Sequence, residues 1–217
     1  MRTLVKSNWP LILTHVGAIA PLAWLSWQYF NGFFWVNPIQ DLTLRTGKAA
    51  LVLLVLTLAC TPVNTLLGWR PALKMRRWLG LYAFGYAAIH FAIFVGLDYG
   101  FNPQLLLEAI FEKRFALVGF AAGLLMLPLA ITSTKGWQRR MGQRWKKLHR
   151  LVYLAASLAV IHYIWLVKAD IRPPLTFGAI IGLLFLMRWK PVRQKLVRFR
   201  SWITQQFLAP RASSPNP

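Results

Sequence analysis

Six long apolar stretches are the feature that most constrains the fold of this chain of 217 residues. A helix that is apolar all round lies in a membrane or in the core of a large protein, and a chain of this size cannot enclose so much apolar surface. A membrane span needs roughly 20 residues, with a range of about 17–25. We therefore predict an all-α, polytopic membrane protein with a six-helix transmembrane bundle. The expected spans cover residues 9–30, 49–67, 78–99, 115–133, 151–168 and 175–189.

The charged residues are divided unequally between the two ends of these spans. Twenty of the 26 Lys and Arg residues fall in residues 2–6, 70–77, 135–150 and 188–211, a side that we call the basic face. All five acidic residues fall on the opposite side, the acid-rich face. Since cytoplasmic loops accumulate Lys and Arg, we expect both termini to be cytoplasmic. Residues 1–205 would form one membrane domain, and residues 206–217 a disordered cytoplasmic tail.

The net charge of +21 invites comparison with nucleic-acid-binding proteins. Cations on one membrane face are, however, what the cytoplasmic side of a membrane protein requires in order to meet anionic lipid headgroups. We therefore expect membrane lipids, and no nucleic acid, as partners of the basic face.

Two histidines lie at the same depth inside the third and fifth expected spans. His90 follows Trp78 by 12 residues and His162 follows Arg150 by 12 residues, so at ~1.5 Å per residue both lie ~18 Å from the basic face. An ionisable side chain at membrane depth is costly and indicates a functional site by default. Two imidazoles at one level suit the two axial positions of a haem iron. We predict that His90 and His162 are these ligands, in the outer half of the membrane.

The two histidines also have other interpretations. Each could instead donate a hydrogen bond that packs two helices, as in a transporter or assembly protein. We find no internal repeats or paired Gly and Pro interruptions of the kind that a transporter would show. A proton relay would need carboxylates at that depth, and zinc would need three or four converging ligands. The single cysteine, Cys60, excludes a CxxC pair, and we expect it to be buried.

The remaining histidines and two arginines are weaker candidates. His149 lies 13 residues before His162, ~20 Å along an ideal helix and ~140° around it, so the two cannot bind one iron. His149 would bind a second haem, contact a flavin, or simply lie among its basic neighbours. His15 has no partner that the sequence identifies and is expected to be structural. Arg76 and Arg77 could hold haem propionates or a flavin phosphate, or could contact lipid headgroups.

Two segments resemble a known family. Residues 131–170 (ITSTKGWQRRMGQRWKKLHRLVYLAASLAVIHYIWLVKAD) and 76–91 (RRWLGLYAFGYAAIHF) closely resemble the MsrQ family, also called YedZ. Its members are haem-binding membrane subunits of a periplasmic protein-methionine-sulfoxide reductase system and belong to the ferric-reductase-like transmembrane superfamily. The resemblance implies six helices, haem b and a place in the bacterial inner membrane. The haem-ligand positions of the family fall on His90, His149 and His162.

The resemblance also implies partners. Electrons would come from a cytosolic flavin reductase or the quinone pool and pass to a periplasmic, molybdenum-containing methionine-sulfoxide reductase subunit. This chain would then be the electron-transfer subunit of an oxidoreductase complex, without a substrate-converting site of its own. FMN is a further candidate cofactor.

The chain departs from better-known members of the superfamily at one position. NADPH oxidases and ferric reductases carry a second histidine about fourteen residues earlier on the third helix, where this chain has Arg76. A second haem would therefore have His149 and some other ligand or none. Those relatives also carry a flavin and NADPH domain, for which we find no motif here. A self-contained ferric reductase or a quinol-oxidising cytochrome b is the alternative within redox chemistry.

Overall fold

The computed structural model describes residues 2–33, 37–203 and 206, with side chains from residue 8 onward. Regular structure in these ranges is helical throughout. The elements are α1 (Arg2–Phe30), α2 (Pro38–Leu67), α3 (Pro71–Ile93) with a π-helical turn at Phe94–Asp98, α4 (Pro103–Glu112), α5 (Arg114–Ile131), α6 (Lys135–Met141), α7 (Gln143–Leu148), α8 (Leu151–Leu166), α9 (Arg172–Arg188) and α10 (Lys190–Ile203). By length and composition, five helical segments of the described chain can cross a membrane, or six if the bent pair α9 and α10 counts as one. The predicted all-α, polytopic class is confirmed.

Capping residues explain where several helices begin and end. The side chain of Asn37 accepts a hydrogen bond from the backbone N–H of Gln40 (3.1 Å) at the start of α2, and Asn102 caps α4 in the same way. Each asparagine is followed by proline, whose fixed φ suits the first helical position. At the other end of α2, Gly68 adopts a left-handed φ of 68° and its N–H bonds the carbonyl of Asn64.

Hydrogen bonds between helices show that α2 runs antiparallel to α3, and α5 antiparallel to α8. In each pair, a residue near the start of the first helix is hydrogen-bonded to a residue near the end of the second helix. This bond lies close to the acid-rich face. A second bond joins the opposite ends, close to the basic face. The bonded pairs are Thr43 with His90, Thr61 with Arg76, Phe115 with His162, and Thr132 with His149, the last just before α8.

The remaining spans pack around these two pairs. In α1, the carbonyl of Ala18 accepts a hydrogen bond from the hydroxyl of Tyr86 on α3 (2.7 Å). In α9, Arg188 reaches both Leu58 on α2 and Tyr153 on α8. Helix α2 is the centre of the bundle, because half of its apolar window is buried, against 17–22% in the other four unbroken spans.

Small residues allow the helices to approach closely, as in membrane bundles generally. Ala83, Ala155 and Ala156 are fully buried. Large apolar side chains are exposed instead on the outside of the spans, including Leu124 and Leu154. This distribution suits a bundle whose outer surface faces lipid rather than water.

The start of α2 differs from the prediction. We expected the second span to begin at residue 49, with Asp41 and Arg45 in an outer loop, but α2 begins at Pro38. The two charged residues lie one turn apart on the helix and form an exposed ion pair (2.7 Å), which lets the helix extend beyond its apolar stretch. The added turns form one wall of the histidine site described below.

Four helices lie largely in segments expected to be loops or tails, namely α4, α6, α7 and α10. Residues 149–150 form a turn between α7 and α8, and Gln143–Leu166 together make one candidate span. The predicted sixth span corresponds to α9, after which the chain bends by 76° into α10. The predicted tail, residues 206–217, lies outside the described residues apart from Gln206.

Candidate functional site

His90 and His162, the two histidines predicted to lie at the same depth, are neighbours inside the bundle. The ring centres of His90 on α3 and His162 on α8 are 6.2 Å apart, and the ring planes are inclined by 84°. An imidazole nitrogen binds a first-row metal at about 2 Å, which puts each ring centre about 3 Å from such a metal. Two rings on opposite sides of one iron would therefore be about 6 Å apart, close to the observed separation. The geometry fits a haem iron between them.

A backbone carbonyl orients each imidazole. His90 Nδ1 lies 2.8 Å from the carbonyl oxygen of Thr43, and His162 Nδ1 lies 2.7 Å from that of Phe115. A carbonyl oxygen can only accept, so Nδ1 carries the proton and donates in both rings. The neutral imidazole then keeps a lone pair on Nε2, the nitrogen available to a metal. Fixing the tautomer through the other nitrogen is the usual outer-shell arrangement of histidine ligands.

Glycines give both imidazoles access to these carbonyls. Gly47 follows Thr43 by four residues, and Gly119 follows Phe115 by four residues. In a helix, a side chain covers the turn that precedes it, so a larger residue at either position would cover the accepting carbonyl. A Cβ on Gly47 would lie 3.0 Å from His90 Nδ1, and one on Gly119 only 2.6 Å from His162 Nδ1. The observed positions of both imidazole rings therefore require that residues 47 and 119 have no side chain.

The two halves of this site are copies of one arrangement. Each consists of a carbonyl, a glycine four residues later and a histidine 47 residues after the carbonyl. The second set follows the first by 72 residues at every position, as 43 and 115, 47 and 119, 90 and 162 show. The sequence analysis found no internal repeat, although further residues match at the same offset, among them Ala49 and Ala121, Ala83 and Ala155, and Ile89 and Ile161.

An open cavity of about 290 Å³ adjoins the site near the acid-rich face, lined by Arg114, Phe115 and Trp165. The backbone carbonyl of Phe115 is the acceptor for His162. The preceding residue, Arg114, is exposed and begins α5. It could pair with an anionic group of a cofactor that extends from the site toward this face.

His149 is not arranged like the other two histidines. Its Nε2 lies 3.1 Å from the hydroxyl oxygen of Thr132, which is itself 2.6 Å from the carbonyl oxygen of Pro128. Because the hydroxyl proton goes to that carbonyl, the threonine accepts from His149 and Nε2 is the protonated nitrogen. The ring also stacks on Trp145, with 3.9 Å between centres. His149 therefore lies near the basic face, apart from the His90 and His162 pair.

The two candidate arginines point in different directions. The guanidinium of Arg76 turns toward the bundle, where Nη1 lies 3.5 Å from the hydroxyl of Thr61. Arg77 is exposed, and its guanidinium lies 5.2 Å from the ring centre of Trp78. Consecutive helical residues are turned by about 100°, so only one of the two can face the interior. The structure thus separates Arg77 from the interior polar groups.

His15 and Cys60 are explained by packing. His15 Nδ1 lies 2.9 Å from the hydroxyl of Tyr82, and its ring meets that of Trp78 at 4.9 Å between centres. Tyr82 and Trp78 are thus the partners of His15 that the sequence did not identify. Both contacts fit a structural role for this histidine. Cys60 is buried and free, as predicted.

Arg188 is a residue that the sequence did not single out. It stands in a basic segment at the end of a span, where contact with lipid headgroups is the default expectation. In the structure it points inward instead and bonds two other helices. No local signal distinguishes it from its basic neighbours.

Comparison with known proteins agrees with this fold and site. Residues 46–160 match the family model described as ferric reductase like transmembrane component. A relative from Xanthomonas axonopodis pv. citri, described as "Protein-methionine-sulfoxide reductase heme-binding subunit MsrQ", is 45% identical over 186 residues, covering 82% of this chain and 85% of the relative. A Rhodospirillum rubrum protein of the same description is 42% identical over 181 residues, covering 83% and 87%. No solved structure matches.

The fold, the paired histidines and the family match together define a membrane protein of the ferric-reductase-like transmembrane class. Within that class, the chain belongs to the MsrQ family. The family prediction made from residues 76–91 and 131–170 is confirmed.

Proposed function

We propose that this chain is a haem-binding membrane subunit that transfers electrons to a methionine-sulfoxide reductase. The observation that carries the proposal is the pair of imidazoles, His90 and His162, 6.2 Å apart and each held through Nδ1 by a backbone carbonyl. Relatives that are 42–45% identical to this chain are described as heme-binding subunits of such a reductase.

His90 and His162 would hold the iron through their Nε2 atoms. Haem iron bound in this way supplies one-electron chemistry by alternating between its ferric and ferrous states. Because both histidines would be used to hold the iron, the haem would supply electron transfer rather than a site that binds substrate. This favours an electron-transfer role over a substrate-converting site in this chain.

The cofactor is proposed to be haem b. Covalent attachment of a c-type haem needs a C-x-x-C-H segment, and the chain has a single cysteine, Cys60, followed by Thr-Pro-Val-Asn. Burial of that cysteine among apolar residues gives it no role in attachment. The basic-face half of the bundle, where Arg76 turns inward, is the candidate position for a second haem at His149 or for bound FMN.

The direction of transfer follows from charge. We infer that the basic face is cytoplasmic and the acid-rich face periplasmic, in the bacterial inner membrane. His162 lies four residues before the end of α8, so the histidine pair is close to the acid-rich face. Electrons would arrive from a cytosolic flavin reductase or the quinone pool and leave to a periplasmic, molybdenum-containing reductase subunit. The short remaining distance to that face is what an electron acceptor docked there requires.

Rapid mixing tests this role. The purified membrane protein is reduced, freed of excess reductant and mixed with a periplasmic molybdenum-containing methionine-sulfoxide reductase while the haem absorbance is followed. We expect oxidation of the haem, with an equivalent reduction of the partner. Haem that stays reduced, while the partner still accepts electrons from a chemical donor, would overturn the proposed role.

A further inference from the structure

A proline in α2 creates the first element of a second polar site. Pro62 has no N–H, so the carbonyl of Leu58, four residues earlier, lacks its helical donor. Nη2 of Arg188, at the end of α9, donates to that carbonyl. Nη1 donates to the hydroxyl of Tyr153 (3.0 Å) on α8, and the guanidinium also lies over that ring, 5.6 Å from its centre. Two helices besides its own, α2 and α8, thus hold the guanidinium in place.

The same guanidinium keeps one donor, Nε, that no described residue satisfies. Nε of Arg188 is the one buried side-chain nitrogen or oxygen without a hydrogen-bond partner among the described residues. A buried donor left unpaired costs free energy, and such groups in native proteins call for an explanation. An unfilled ligand position would supply it.

A second guanidinium approaches the same place from α3. Arg76 Nη1 lies 3.5 Å from the hydroxyl of Thr61, three residues beyond Leu58 on α2. Leu58 and Thr61 lie less than one helical turn apart on α2, so the two guanidinium groups bond neighbouring positions of that helix. Two like charges have therefore been brought together inside the basic-face half of the bundle.

Among the described residues, no aspartate or glutamate side chain compensates them. All five acidic residues lie toward the acid-rich face, and the one ion pair among the described residues joins exposed side chains there. These acids are Asp41, Asp98, Glu108, Glu112 and Asp170. Buried like charges without a counter-charge are strongly unfavourable, so an anion is expected beside them.

We propose that Arg76 and Arg188 form a binding site for an oxyanion in the basic-face half of the bundle. Guanidinium groups bind carboxylates and phosphates through paired N–H donors, so the ligand is a group of that chemistry. Three sources can supply it: the propionate of a haem near His149, the phosphate of FMN, or the phosphate of a membrane lipid. The site is separate from the His90 and His162 pair, and its failure would leave the proposed function standing.

The experiment compares Arg188→Gln and Arg188→Lys with the control Arg193→Gln. Arg193 is exposed on α10 at the same membrane face, so its replacement changes the charge by the same amount without touching the site. Haem and phospholipid per chain are measured on each purified protein, and FMN binding is titrated by fluorescence quenching. Haem is also counted in a background that carries both His90→Ala and His162→Ala, where any remaining haem is held without either histidine.

We expect Arg188→Gln to lower the affinity for one of the three ligands at least about tenfold relative to the control. This is the change in affinity that loss of a charge-assisted hydrogen bond implies. Haem lost in the background without His90 and His162 identifies a propionate. Weaker FMN binding identifies a flavin phosphate, and phospholipid loss alone identifies a lipid. If Arg188→Gln does not fold, Arg188→Lys, which retains the charge but not the fork of donors, should show the same loss to a smaller degree. Unchanged haem, FMN and phospholipid in a folded Arg188 variant would overturn the site.

Discussion

His162 packs so closely against Gly119 that a Cβ on the glycine would lie 2.6 Å from its Nδ1. The contact exists because the imidazole must pass over the glycine to reach the carbonyl of Phe115. The ring position on α8 is therefore set by a missing side chain on α5. This relationship makes the glycine a positioning residue for the proposed haem ligand.

Gly119→Ala should displace the His162 ring and lower the amount of haem bound with two histidine ligands. The added methyl group overpacks the contact, at a cost of about 1–3 kcal/mol in stability. The matched control is Gly123→Ala, one turn later on the same helix, where a Cβ would meet nothing within 4 Å. Both changes improve helix propensity equally, so their difference isolates the contact. Equal haem content and equal absorption spectra in the two variants would contradict this role.

His90→Ala and His162→Ala should each abolish the low-spin signal of a haem with two histidine ligands, because each removes one ligand from the same iron. Electron paramagnetic resonance and absorption spectra of the reduced and oxidised proteins measure this. His15→Ala is the control, since His15 is bonded to Tyr82 and has no part in the site. Persistence of the low-spin signal in either ligand variant would show that the iron is held elsewhere.

His149→Ala should leave the signal of the His90 and His162 haem in place. His149 lies near the opposite face and its Nε2 donates to Thr132, so its loss does not alter the ligands of the outer iron. The same spectra, together with the amount of haem per chain, are measured on His149→Ala. They distinguish loss of a second haem at His149 from loss of the haem between His90 and His162. Complete loss of haem in His149→Ala, with haem retained in His90→Ala, would reverse the assignment.

Both chain termini should be cytoplasmic. Twenty of the 26 Lys and Arg residues lie toward the face where the chain begins and where α9 ends. Fusions of reporters active only in the cytoplasm or only in the periplasm, placed at the C-terminus and between α8 and α9, test the orientation. Activity of the periplasmic reporter at the C-terminus would invert it and place the histidine pair on the cytoplasmic side.

That His90 and His162 lie at one level of the bundle was accessible from the sequence. Equal spacing of His90 and His162 from flanking residues at the basic face fixes their height, because the rise of a helix per residue is constant. Apolar length and charge asymmetry likewise predicted the spans and the class of protein. These are local quantities, and each can be read along one segment.

The partners of those histidines were decided only by tertiary structure. Thr43 and Phe115 lie 47 residues from the imidazoles that they orient, and Leu58 lies 130 residues from Arg188. A contact of this kind depends on how each helix is rotated about its axis. In spans that are apolar on every side, no hydrophobic stripe marks the inward face, so the rotation is not encoded locally. It follows from the close packing of small residues such as Ala83 and Ala155 between helices, which only the assembled bundle reveals.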